Sequence, residues 1–237
     1  MGRSFEVRKA AMMKTGLQKT RLYSRFGREI YVTARQGGAN LDANLALKHL
    51  IERAKKQQVP NDIIKRNIDK AQGGAGEDFV SVRYEGFGPG GSAVLVDALT
   101  DNLNRTVSEV RACFTKVGAK LGVKGSVEHM YQHLALLSIR GVDSERVLEL
   151  LLEADIDVLD IEESEGRVEI TGGGYDLDNI QEVLGEVTGL EIIDSEQGWF
   201  AAETLVLEGE TRTLFEKLVM LLDQCEDVQN VFHNVEL

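Results

Sequence analysis

The chain has 237 residues, 43% of them hydrophobic, and its 27 Lys/Arg against 39 Asp/Glu leave a net charge of −12. That length admits one large domain or two to three small ones, and no apolar run approaches the roughly 20 residues that span a bilayer. Cys113 and Cys225 are the only cysteines, which excludes a disulfide framework; the basic start, Met1 to Arg21, has no uninterrupted apolar stretch of a secretory signal, so a cytoplasmic location is expected.

The charge is segregated. Met1 to Gln72 holds 16 basic and 6 acidic residues, whereas the remainder holds 11 and 33. Such a division predicts a polyanion-binding front and a solvated acidic rear. Met1 to Thr20 reads as a basic arm. Arg21 to Gln36 is predicted helical, because Leu22, Phe26 and Ile30 recur every four residues. Arg21, Arg25, Arg28 and Arg35 form a stripe on another face, and Gly37-Gly38 ends the helix. Asp42 is the expected N-cap of a second helix, with Leu47, Leu50, Ile51 and Ala54 inward and Lys48, Arg53, Lys55 and Lys56 outward. Pro60 and Asn61 open a third, with Ile64, Ile68 and Ala71 inward and Lys65, Arg66 and Lys70 outward. Gly73-Gly74-Ala-Gly76 reads as a linker. Residues 1–76 are thus expected to form a basic all-helical domain with an N-terminal arm. Its expected phosphate contacts are Arg3, Arg8, Lys9, Lys19, Arg21, Arg25, Arg28, Arg35, Lys55, Lys56, Lys65 and Arg66. About six such contacts would make log K fall with log salt at a slope of roughly −5.

From Phe79 the period changes to two. Strands 79–87 and 93–99 flank Gly86-Phe-Gly88-Pro-Gly90-Gly91. A helix over 102–117 follows, with Val107, Val110, Phe114 and Val117 inward and Thr106 and Glu109 at capping-box spacing, then a strand over 126–131. The next elements are strand 134–139, helix 143–154, strands 158–161 and 167–171, helix 176–187 and strand 190–194. That βαββαβ order is the split pattern of a ferredoxin-like domain. Strand 203–207, helix 210–222 and strand 228–233 close the chain. With 133–199 excised, the flanking pieces make a second βαββαβ. The predicted fold class is therefore α+β and multidomain: three N-terminal helices and two ferredoxin-like α/β domains, the central one from 77–132 and 200–237 and an acidic one, 133–199, inserted into it.

The glycine run is not a dinucleotide-binding turn, because a strand rather than a helix follows it. A glycine-rich hairpin accounts for it. The amides of Gly88, Gly90 and Gly91, with Asn104 and Arg105, form a second set of candidate partner contacts. Arg105 sits in the first turn of its helix, where its charge opposes the helix dipole and calls for a partner. His129 and His133 have metal spacing only on a helix, and they fall at a strand end. Cys113 is expected to pack inside, and Cys225 has no basic cluster to activate it. No nucleophile, base and stabiliser can be assembled. Neither an enzyme, a metal site nor a cofactor is expected.

Tyr84-Glu-Gly-Phe-Gly-Pro-Gly-Gly91, Asn104-Arg-Thr106, Glu109-Val-Arg111, Phe114-Thr-Lys116 and Gly125-Ser-Val127, with weaker support from Glu52-Arg-Ala-Lys55 and Val231-Phe-His-Asn234, together resemble the YebC family, also called PmpR or TACO, and its YeeN branch. The resemblance implies three domains, the first all-helical, in a cytoplasmic DNA-binding transcriptional regulator. Other members look like translation factors that act at the ribosome and help synthesis through proline runs. Gly2-Arg-Ser-Phe-Glu-Val-Arg8 departs from the family's common His-Ser-Lys-Trp-Ala-Asn opening and lacks its tryptophan. The function expected is a non-enzymatic nucleic-acid-binding regulator of gene expression that acts on DNA. A ribosome-associated factor binding rRNA or tRNA is the alternative, and an acidic protein-interaction adaptor using 133–199 is a third.

Overall fold

The computed structural model describes residues 19–73 and 78–236. Arg3, Arg8 and Lys9 lie outside the described residues, as does the side chain of Lys19. Three helices come first: α1 (Lys19–Gly37), α2 (Leu45–Lys56) and α3 (Asn61–Gln72). The apolar spacing seats Ile30 and Ala34 against Leu47, Leu50, Ile51, Ala54, Val59 and Ile64. Asn44, not the expected Asp42, caps α2. Its Oδ1 accepts from Leu47 N at 3.1 Å, while its Nδ2 donates to the carbonyls of Thr33 (3.1 Å) and Gly38 (2.8 Å). An aspartate has no donor for those two carbonyls, so only the amide can join the end of α1 to the start of α2.

In chain order the next elements are β1 (Val80–Phe87), β2 (Ala93–Thr100), α4 (Leu103–Thr115), β3 (Lys120–Leu121), β4 (Tyr131–Arg140), α5 (Ser144–Glu153), β5 (Val158–Ser164), β6 (Arg167–Gly173), α6 (Leu177–Gly185), β7 (Glu191–Ala201), β8 (Leu205–Val206), α7 (Gly209–Gln224), β9 (Val228–His233) and β10 (Val235–Glu236). Helices and antiparallel sheets together make the α+β fold that the change of period predicts. The chain forms two compact units. Among the described residues, one holds 19–73, 78–128 and 207–231; the other holds 129–206 and 232–236.

In the first unit the sheet order is β3-β1-β2-β9, with β1 and β2 paired antiparallel from Val80↔Thr100 to Phe87↔Ala93. α4 buries Val110 and Phe114, and α7 buries Phe215, Leu218, Val219 and Leu222. Gly86 is required by close approach: a Cβ there would lie 2.5 Å from Phe114 Cε1 and 2.9 Å from the Lys120 carbonyl.

The expected strand 126–131 does not form. Glu85 is 3% exposed, and its carboxylate accepts from the amides of Gly125 (2.5 Å), Val127 (2.8 Å) and Glu128 (2.9 Å). Those donors are then absent from any strand ladder, and Glu128–Met130 is a short 3₁₀ turn instead. Likewise the expected strand 203–207 shortens to β8, which pairs in parallel with β10.

The second unit's sheet has the order β5-β6-β4-β7, with antiparallel neighbours throughout. This is the ferredoxin-like arrangement expected for the segment. Ala135, Leu137 and Ile139 pack against Val147, Leu151, Ile180 and Leu184 on one face, and Leu134, Leu136 and Phe200 cluster separately. Its described residues include 3 basic against 20 acidic ones.

Candidate nucleic-acid interface

The expected phosphate contacts separate into two sets. The first lies on α1 and meets carboxylates of the same unit. Arg25 donates to the Asp223 carbonyl at 3.3 Å and to Asp223 Oδ1 at 3.4 Å. Both side chains are nearly buried, at 11% and 13% exposure. Burial works against both charges, lowering the pKa of Arg25 and raising that of Asp223, with mutual attraction only partly compensating. Asp223 Oδ2 is buried without a hydrogen-bond partner among the described residues, so this pair fixes geometry more than it stabilises. Arg28 donates to the Glu226 carbonyl at 2.7 Å, to Asp227 Oδ1 at 3.2 Å and to the Glu226 carboxylate. Arg35 bonds the Tyr31 hydroxyl at 2.6 Å and Asp78 at 3.1 Å; the latter is an exposed rim pair of small worth. Arg21, one turn before Arg25, is partly buried. Helical spacing of arginines is the same whether they face phosphates or carboxylates, which is why pattern alone did not separate the two.

Asp227 is the hub of this contact. Its side chain is 3% exposed. Besides Arg28, its Oδ2 accepts from Arg105 Nε at 3.2 Å and from a terminal nitrogen of Arg105 at 2.7 Å. The hydroxyls of Thr106 (2.8 Å) and Thr100 (3.1 Å) donate to the same oxygen. Burial alone would raise the Asp227 pKa, but these donors hold its carboxyl below the usual range. Thr106 therefore serves Asp227 rather than a capping box. Asn102 caps α4 by accepting from Arg105 N at 3.1 Å. The partner that Arg105 calls for is internal: Asp227, with Asp101 at 2.7 Å.

The second set remains outward. Lys55 and Lys56, with Arg53, occupy the last turn of α2, where the helix dipole favours positive charge. Lys65 and Arg66 project from α3. All five are exposed. Among the described residues no carboxylate pairs with Lys55, Lys56, Lys65 or Arg66.

A groove of about 670 Å³ in the same unit is lined by Tyr23, Arg28, Tyr31, Arg66, Lys70 and Phe79, and by Asp101, Arg105, Glu109, Glu226 and Asp227. Tyr31 and Phe79 meet edge-to-face at 5.9 Å, Arg28 lies over Phe79 at 5.9 Å, and Lys70 lies over Tyr31 at 5.4 Å. Four cations and four carboxylates share its walls, so its own charge does not make it a phosphate channel.

The loop candidates have structural duties. Gly90 has φ 70°, and a Cβ there would meet Leu207 Cδ2 at 2.6 Å and Thr211 Cγ2 at 2.9 Å. A Cβ at Gly88 would meet Ser92 Oγ at 2.5 Å and Leu218 at 3.2 Å, whereas Gly91 has open space. Asn104 is exposed, and its carbonyl accepts from Ser108 Oγ at 2.8 Å. In the second unit, the His133 ring stacks on Trp199 at 5.0 Å and lies 4.6 Å from Tyr175. Among the described residues no cluster of His, Cys, Asp and Glu could hold a metal ion, and no helix is long and apolar enough to cross a membrane.

A family model described as the TACO1/YebC protein N-terminal domain matches residues 3–74, and one described as the TACO1/YebC second and third domain matches 79–235. The chain belongs to the TACO1/YebC family. A relative from Alteromonas mediterranea is 49% identical over 99% of this chain and 98% of its own length. One from Vibrio parahaemolyticus is 50% identical over the full length of both. Each of these family members is named a probable transcriptional regulatory protein. The crystal structure of a conserved hypothetical protein from Aquifex aeolicus, 36% identical, superposes with a TM-score of 0.73 over 93% of this chain and 91% of that one.

Proposed function

We propose that this protein is a non-enzymatic regulator of gene expression that binds DNA through the outward cations of its helical segment. The observation that carries the reading is the contrast between two sets of basic residues. Arg25, Arg28 and Arg105 hold carboxylates of their own unit. Lys55, Lys56, Lys65 and Arg66 are exposed and have no such partner among the described residues. The names of the relatives support transcription as the process. The ferredoxin-like unit, with 20 acidic residues to 3 basic, repels a phosphate backbone and so keeps contact to the cationic helices. In this reading the helical segment 1–76 is the binding domain, 77–132 with 200–237 is its support, and 133–199 is the acidic insert. Four phosphate contacts give a salt slope of roughly −3 to −4, shallower than expected from the whole arginine stripe.

Crosslinking in cells, followed by sequencing of the bound nucleic acid as DNA and as RNA, tests the reading. Recovery of promoter DNA is expected. Recovery of ribosomal or transfer RNA without DNA would overturn it in favour of action at the ribosome.

A further inference from the structure

Arg105, Glu109 and Cys113 recur every four residues, so they share one face of α4. The segment from Asp223 to Asp227 meets that face at two points. Arg105 holds Asp227 at 2.7 Å. Two turns further along α4, Cys113 Sγ lies 3.5 Å from Cys225 Sγ, although the residues are 112 apart in sequence. We propose that Cys113 and Cys225 are a modification site: a thiol pair that closes into a reversible intramolecular disulfide on meeting a small-molecule disulfide or a peroxide.

The geometry suits the reaction. The two sulfurs are already in contact, so a short approach brings them to bonding distance. Cys113 is buried, whereas Cys225 is partly exposed and admits the oxidant. Cys225 is also the C-cap of α7, with extended backbone at φ −69° and ψ 129°. The hydrogen bond between the two sulfurs, with help from the Lys116 charge and against burial and the Glu109 charge, holds Cys113 below the ordinary thiol range. Cys225 is correspondingly pushed up. Two thiols in contact, one of them held below its ordinary range, put a nucleophile and a resolving thiol side by side.

The chemistry balances with either oxidant. A small-molecule disulfide is attacked by one cysteine thiolate, and its first thiolate leaves. The second cysteine then attacks the mixed disulfide at the protein sulfur and releases the other thiolate. The protein gives up two electrons and two protons, and the small disulfide becomes two thiols. With a peroxide, the thiolate attacks one oxygen, the O–O bond breaks, the other oxygen leaves as hydroxide or alkoxide and takes a proton, and a sulfenic acid forms. The second thiol displaces its oxygen as water.

Cys225, Glu226 and Asp227 are contiguous, so the bond would add a covalent tie beside the carboxylates that hold Arg28 and Arg105. It would also restrain the unfolded chain through a long loop.

The test uses the full chain treated with oxidised glutathione. Expected are loss of two hydrogens by intact mass, a Cys113–Cys225 crosslinked peptide, reversal by dithiothreitol and a higher thermal midpoint. Cys113→Ser should instead carry a glutathione on Cys225. The proposal is overturned if wild-type chain keeps both thiols, carries separate glutathiones, or links to a second chain under conditions where Cys113→Ser is modified.

Discussion

Asp227→Ala removes the acceptor common to Arg28, Arg105, Thr100 and Thr106. Each threonine hydroxyl loses a buried bond worth about 1 kcal/mol. Arg28, 14% exposed, loses a charge-assisted bond but keeps Glu226, a loss of about 1 kcal/mol. Arg105 is 43% exposed and keeps Asp101, so water compensates its lost bond. The expected destabilisation is about 3 kcal/mol, within the range for removing one member of a buried ion pair. Asp227→Asn keeps one acceptor oxygen and should lose less. Urea unfolding followed by far-ultraviolet circular dichroism measures both. Hydrogen exchange on the alanine variant should quicken in α1 first, because Asp227 is one of its anchors. A loss under about 1 kcal/mol for alanine, with α1 still protected, would refute the assignment of Asp227 as the hub.

Three further outcomes follow from other residues. Glu85→Ala strands the amides of Gly125, Val127 and Glu128 and should cost about 3 kcal/mol in the same unfolding assay. Acid should act in two stages. Burial, partly offset by a backbone hydrogen bond with Val235, pushes His233 down to about 4 from 6.5. The unfolded chain therefore binds that proton first, and His233 contributes stability above pH 6.5 that is lost between 6.5 and 4, about 3 kcal/mol in all. Glu85, whose burial is outweighed by backbone donors, and Asp227 both have depressed values, so their contribution is present above the ordinary carboxylate range and is lost at still lower pH. His233→Phe should abolish the first stage in a stability–pH profile and leave the second. Gly90→Ala must adopt φ 70° with its Cβ 2.6 Å from Leu207, and a loss of about 2 kcal/mol is expected by thermal melting.

Much of this organisation was legible in the sequence. Leu47, Leu50, Ile51 and Ala54 announced α2, and the alternation around Gly86–Gly91 announced the β1–β2 hairpin. The order of periods in 134–194 announced the ferredoxin-like sheet. What escaped depends on residues far apart in the chain. Nothing local marks Asp227 as the acceptor for Arg105, 122 positions away. Nothing local brings Cys113 to Cys225, which lacks basic neighbours in the sequence and has a second thiol beside it instead. Glu85 was readable only as part of a glycine-rich motif, yet its buried carboxylate is what replaces strand 126–131 with a turn. The arginine stripe of α1 was real as a pattern, but the pattern could not tell which anions it faces.

Duplex-DNA affinity measured against salt for Lys55→Ala/Lys56→Ala/Lys65→Ala/Arg66→Ala, beside wild-type chain of matching circular dichroism, bears most directly on where binding resides. Removal of these four cations should flatten the slope of log K on log salt by roughly 3 to 4 and weaken binding. An unchanged slope and affinity in the folded variant would contradict the account.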